Sequence, residues 1–262
     1  MKNTLLVAVI AILGFSSCKK DNDSPYNGNV KAELSVEFDN IAGSSDLQLN
    51  TGTYTNSSGE AFSVTKLKYY VSNIILTKTD GTVYIVPQDS SYFLIDESDE
   101  ETHEPELQVP EGEYKTLQFT LGVDSLRNTM DISERTGVLD PTGIGGDMYW
   151  GWNSGYIFFK MEGGSGASST GGYMYHIGGF GGYSSATINN IKTITLDLTQ
   201  RGVPQVKTGR EANIHLMVDV TKMFSGVNTV SIATYPMVMF DDYSTSIADN
   251  LPGMFRHDHT EN

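Results

Sequence analysis

Five histidines (His103, His176, His215, His257 and His259) and ten methionines are the side chains of this sequence that remain to hold a soft or borderline metal. Imidazole with thioether suits copper, and Cu(I) in particular. His257-Asp258-His259 is the compact pair, and on a regular strand its two imidazoles share one face. The plain alternative is a solvated tail. His215 alternates with Ile214, Leu216 and Val218, which puts it on the opposite face with Met217. Its plain alternative is a half-exposed strand histidine. His176 lies between Tyr175 and Ile177, next to a glycine-rich stretch. Trp150 and Trp152, one residue apart, project to one face of a strand. Such a pair is either an aromatic core plug or an exposed platform for stacking on sugars.

Other chemistries find less support. There is no Gly-x-Ser-x-Gly elbow and no His-Glu-x-x-His. Nothing favours a glycosidase carboxylate pair. Residues 143–182 are dense in glycine, but no Gly-Lys-Ser/Thr follows and no helix opens there, so a phosphate-binding loop is rejected. The net charge of −15, from 17 basic and 32 acidic residues, leaves no basic patch for nucleic acid. The acidic run from Asp96 to Glu104 lacks the spacing of a calcium loop and reads as solvated. The expectation is a binding protein and not an enzyme.

The elements that must position these side chains are strands. Leu34–Phe38 alternates apolar and polar residues. Lys66–Leu76 is rich in Leu, Tyr, Val and Ile, and Asp80-Gly81 signals a hairpin into Thr82–Val86. Further strands are expected at Ser91–Ile95, Tyr114–Leu121, Tyr156–Met161, Tyr173–Ile177, Ile191–Leu198, Ala212–Val220 and Val230–Tyr235. Short helical turns are expected at Ser125–Met130 and Ile247–Phe255. Many short strands with frequent turn signals predict an all-β fold, an antiparallel β-sandwich in one domain over residues 29–262, with long Gly-rich loops.

The N-terminus has the layout of a secretory signal: Lys2, an uncharged apolar run from Leu5 to Phe15, then Ser16-Ser17-Cys18. The run is too short to span a bilayer, which takes about 20 residues. Small residues before a lone cysteine resemble a lipobox, in which residues 1–17 are removed and Cys18 is lipidated. Residues 18–28 then form a flexible acidic linker. The expectation is an outer membrane lipoprotein, periplasmic or surface-exposed.

Several ordered blocks resemble the MbnP family of copper-binding proteins. The most specific is Met148-Tyr149-Trp150-Gly151-Trp152-Asn153-Ser154-Gly155-Tyr156, continuing through Lys160-Met161-Glu162-Gly163. Lys68-Tyr69-Tyr70-Val71-Ser72-Asn73-Ile74, Gly122-Val123-Asp124-Ser125, Tyr175-His176-Ile177-Gly178 and Ile247-Ala248-Asp249-Asn250 accompany it. The resemblance implies copper held by histidines and by a tryptophan oxidised to kynurenine, made by a diheme peroxidase-like partner, MbnH. Trp150 or Trp152 is then the modified residue. In a related protein a ligand histidine follows the modified tryptophan by two residues, and here Trp152 stands at that place after Trp150. His176 becomes the first-choice imidazole, followed by His215 and His259. The competing reading is a cell-surface carbohydrate- or ligand-binding lipoprotein that uses Trp150 and Trp152 as a platform.

Overall fold

In the computed structural model, residues 25–152 and 155–262 are described. The expected signal peptide, Cys18 and most of the linker lie outside them. The longer strands are β1 (Lys31–Ala42), β2 (Lys66–Lys78), β3 (Tyr92–Asp96), β4 (Glu106–Pro110), β5 (Gly112–Leu121), β6 (Gly155–Gly164), β7 (Gly172–Gly178), β8 (Lys192–Asp197), β9 (Ala212–Asp219) and β10 (Phe255–Glu261). They form an all-β fold of two principal sheets. The smaller runs β10-β9-β1, with β4 on the far side of β1. The larger runs β8-β5-β2-β6-β7, with β3 also on β2.

Alternation explains the small sheet. In β1, Leu34, Val36 and Phe38 are buried while Glu33, Glu37 and Asp39 face outward. In β9, Ile214, Leu216 and Val218 are buried and His215 and Met217 face outward. The two strands run parallel, Glu37 beside His215 and Asp39 beside Met217. The expected antiparallel pattern therefore has an exception at the centre of this sheet. Parallel neighbours need a long crossover, and here it holds nearly all of the larger sheet. Between the sheets, Phe38 meets Tyr69, Phe119 and Phe255 edge to face at 6.2, 5.8 and 6.4 Å.

A second apolar cluster sits on the outward face of the large sheet. Residues 122–150 fold back over it and bury Val123, Leu139, Met148 and Trp150 against Tyr70, Tyr156 and Phe158. The Tyr70 hydroxyl donates to Val138 O at 2.7 Å, and the Arg135 guanidinium donates to Asn128 O at 2.9 Å and Met130 O at 2.7 Å. The Tyr70 bond pins the excursion to the sheet, and the Arg135 bonds brace the excursion internally.

Two expected elements differ. Val230–Tyr235 is not a strand. The Glu60 carboxylate accepts hydrogen bonds from Ser231 Oγ, Ile232 N and Ala233 N at 2.7, 2.7 and 3.0 Å, which holds this segment in a turn. Val230 and Ile232 remain core residues, so their apolar signal was real and its assignment to a strand was not. The helical turn expected at Ile247–Phe255 is split into a helix, Tyr243–Ala248, and a 3-10 turn, Leu251–Met254, after which β10 begins.

Candidate metal centre

Along β7, Tyr173, Tyr175 and Ile177 point into the main core. Met174, His176 and Gly178 therefore share the outward face. The indole of Trp150 lies over Gly178: a Cβ there would stand 2.8 Å from Trp150 Cζ3 and 2.4 Å from Tyr156 O. Glycine is what lets the ring reach the sheet. His176 is the next outward side chain on the same strand, about 7 Å along the backbone. This places the Trp150 indole on the same outward face of β7 as His176.

His176 is held by charge. Lys68, Lys160 and His176 lie in register across β2, β6 and β7. His176 Nε2 donates to Glu162 Oε1 at 2.7 Å. Burial pushes the imidazole below its ordinary value, against the upward pull of Glu162. The Lys160 ammonium, almost fully buried, donates to Asp147 Oδ1 at 2.6 Å and Asp147 O at 2.7 Å. Burial of Asp147 works upward, but the hydrogen bonds from Lys160 and Lys66 outweigh it and hold the carboxyl at about 2. A carboxylate on one imidazole nitrogen fixes the ring and leaves the other nitrogen, Nδ1, as a lone-pair donor.

The two tryptophans differ in setting. Trp150 is 4% exposed and Trp152 66%. Their ring centroids are 5.5 Å apart, and Phe240 packs edge-on against Trp150 at 6.0 Å. Trp150 Nε1 is buried with no hydrogen-bond partner. With Trp150 buried, the two indoles form no open sugar-stacking platform. Phe240 also lines a neighbouring pocket of about 310 Å³ with Arg135, Phe180 and Tyr183.

His215 and His259 lie elsewhere, on the outward face of the small sheet. They are directly opposed on β9 and β10, with ring centroids 4.6 Å apart. The five expected ligands are therefore not one set: Trp150, Trp152 and His176 belong to one sheet, His215 and His259 to the other. Among the described residues, no hydrogen bond or ring contact joins a histidine to either indole. The expected common face of His257 and His259 is also corrected. A bulge at Asp258 shifts the register by one, so His257 pairs with inward-facing Leu216 and is buried. Burial lowers His257 from its ordinary value, whereas the hydrogen bond to Asp258 raises His259. Sequence reasoning passed over Glu162, Asp147 and Asp258 as partners. Their only signal was nearness: Asp258 sits between two histidines, and Glu162 is one alternation from Lys160.

The sequence matches the MbnP family over residues 31–240. The chain belongs to the MbnP family. Its fold is similar to that of MbnP from Methylosinus trichosporium, at 15% identity and a TM-score of 0.53, over 81% of this chain and 82% of that one. No curated protein matches the sequence. The MbnP match includes Trp150, Trp152, His176 and His215 and ends before His259.

Proposed function

We propose that this MbnP-family chain is an exported lipoprotein, anchored to the outer membrane through Cys18, that binds copper as Cu(I) for acquisition or storage without catalysis of its own. Family membership supports copper. The observation that carries the site is Trp150 seated over Gly178, on the same outward face of β7 as His176. Trp152 stays a second candidate for modification because it is accessible to a partner enzyme.

The residues fit such a site. The buried indole nitrogen of Trp150 has no partner, so no hydrogen bond is lost when its chemistry changes. Oxidation to N-formylkynurenine breaks the indole C2–C3 double bond and leaves one oxygen on each carbon, drawn from two equivalents of peroxide whose other oxygens leave as water. Hydrolysis then releases C2 as formate and leaves an aryl amine and a ketone. The diheme peroxidase-like partner MbnH is the proposed oxidant-handling enzyme. His176, steadied by Glu162, supplies the imidazole. A nitrogen-rich, uncharged donor set suits Cu(I).

The test is intact mass and copper content of protein made with and without the partner. Co-expression should give the mass of one kynurenine and one tightly bound Cu(I), and Trp150→Phe or Trp152→Phe should abolish that site. Full copper stoichiometry in both tryptophan variants would overturn the kynurenine reading. The anchor is tested separately: Cys18→Ser should leave the membrane fraction.

A further inference from the structure

The small sheet carries a donor cluster that owes nothing to tryptophan. We propose that His215, Asp258 and His259 form a second metal site, for a borderline divalent cation of the Zn²⁺ or Cu²⁺ kind. It goes beyond the copper reading above and does not depend on it. Asp258 and His259 lie after the residues matched by the family.

The bulge in β10 builds the cluster. Because β10 has one residue more than β9 between the pairs His215–His259 and Leu216–His257, Asp258 and His259 both meet His215. The Asp258 carboxylate is divided between two tasks. Its Oδ1 is held by Arg256 at 2.9 Å, with Arg201 at 3.8 Å. Its Oδ2 faces the two imidazoles, 3.0 Å from His259 Nδ1 and 3.8 Å from His215 Nδ1. All three residues offer donor atoms within 4.8 Å of one another. An ion bound at roughly 2.0–2.2 Å by N and O ligands sets neighbouring donors about 3–4 Å apart. The cluster needs little movement to close on one.

Two further observations point to an ion. His215 Nδ1 is buried and has no hydrogen-bond partner, although it faces a carboxylate oxygen. A buried ring nitrogen without a partner costs free energy unless something occupies it. And the opposite nitrogen of each ring looks onto carboxylates. His215 Nε2 lies 3.7 Å from Glu37 Oε1 and 3.6 Å from Asp39 Oδ2, and His259 Nε2 lies 3.5 Å from Glu261 Oε1. Carboxylates behind metal-binding imidazoles orient the rings and raise their basicity. Two imidazoles and one carboxylate, with further negative charge behind them, favour a dication over Cu(I).

The experiment uses the full chain made without the peroxidase partner, so that both tryptophans stay intact. Zn²⁺ and Cu²⁺ are titrated separately by calorimetry, with metal analysis after dialysis. One equivalent of at least one ion is expected. His215→Ala and His259→Ala should each weaken it roughly 100-fold, and Glu37→Gln roughly 10-fold, the scale of losing a supporting carboxylate. A Trp150→Phe, His176→Ala double variant should keep it, which separates failure of this site from failure of the kynurenine site. With Cu²⁺, electron paramagnetic resonance should show two coupled imidazole nitrogens, and one in either histidine variant. Circular dichroism checks that each variant folds, and His259→Gln stands in for an alanine variant that does not. Uptake of neither ion, or uptake unchanged in folded His215 and His259 variants, overturns the proposal.

Discussion

The indole of Trp150 fills the space that a side chain at Gly178 would occupy. This contact ties the 122–150 excursion to β7 and sets the ring on the strand face that also carries His176. A Gly178→Val variant cannot keep both the strand and the ring in place. Overpacking of this kind costs about 1–3 kcal/mol. In a Trp152→Phe background the remaining indole, Trp150, should shift its fluorescence to the red as it meets water. Chemical denaturation should show the loss of stability. Unchanged emission and midpoint would mean the ring is not seated on β7.

The His176–Glu162 bond separates a metal-orienting role from a purely structural one. Glu162→Gln keeps an acceptor for His176 Nε2 but removes the charge behind the ring. If His176 is a copper ligand, affinity in the kynurenine-bearing protein should fall about 10-fold at unchanged stoichiometry. If the bond only secures the strand, copper affinity should stay and thermal stability alone should drop. A competition titration with a Cu(I) chelator reads the first outcome, and a melting curve reads the second.

Glu60 makes a third case. Its carboxylate collects Asn56 Nδ2 at 2.7 Å together with the Ser231, Ile232 and Ala233 donors. Burial pushes this carboxyl up, but the hydrogen bonds win and it lies below its ordinary value. Glu60→Ala strands the backbone N–H of the buried Ile232, at about 1–3 kcal/mol. The variant should lose that much in urea unfolding. A change within error would show that water replaces the carboxylate.

The limits of the sequence reading have the same physical origin in each case. Strands with one wet face were legible: Ala212–Asp219 shows His215 and Met217 outward by simple alternation. Val230 and Ile232 show the same period, yet the backbone of Ile232 and Ala233 is bonded to Glu60, 172 and 173 residues away in sequence, and no local pattern encodes that. The bulge at Asp258 was equally hidden, because one extra residue in β10 reverses the faces of His257 and His259 only in relation to β9. The tryptophan pair was visible as a motif. Its asymmetry was not, since Trp150 is buried by Gly178 and Phe240, each brought from a distant segment.

Stability should carry a titration centred on Glu97. Its Oε2 accepts from Asn40 Nδ2 at 2.8 Å, and Asn40 Oδ1 accepts from the buried Tyr69 hydroxyl at 2.9 Å. His103 Nε2 stands 3.7 Å from the same oxygen. Burial pushes the Glu97 carboxyl up to about 7, helped by Asp46, Asp39 and Asp96 and opposed by Asn40. The fold therefore prefers the protonated acid. The stabilisation is full below the unfolded value of about 4.5 and is lost as pH rises through about 7. The shift corresponds to about 2 kcal/mol once partial solvent screening is allowed for. Glu97→Gln keeps an acceptor for Asn40 and carries no charge. It should melt close to wild type near pH 5 and unfold with about 2 kcal/mol more stability near pH 8. Parallel melting curves across that range would mean Glu97 keeps its charge in the folded protein and the Asn40–Tyr69 chain tolerates it.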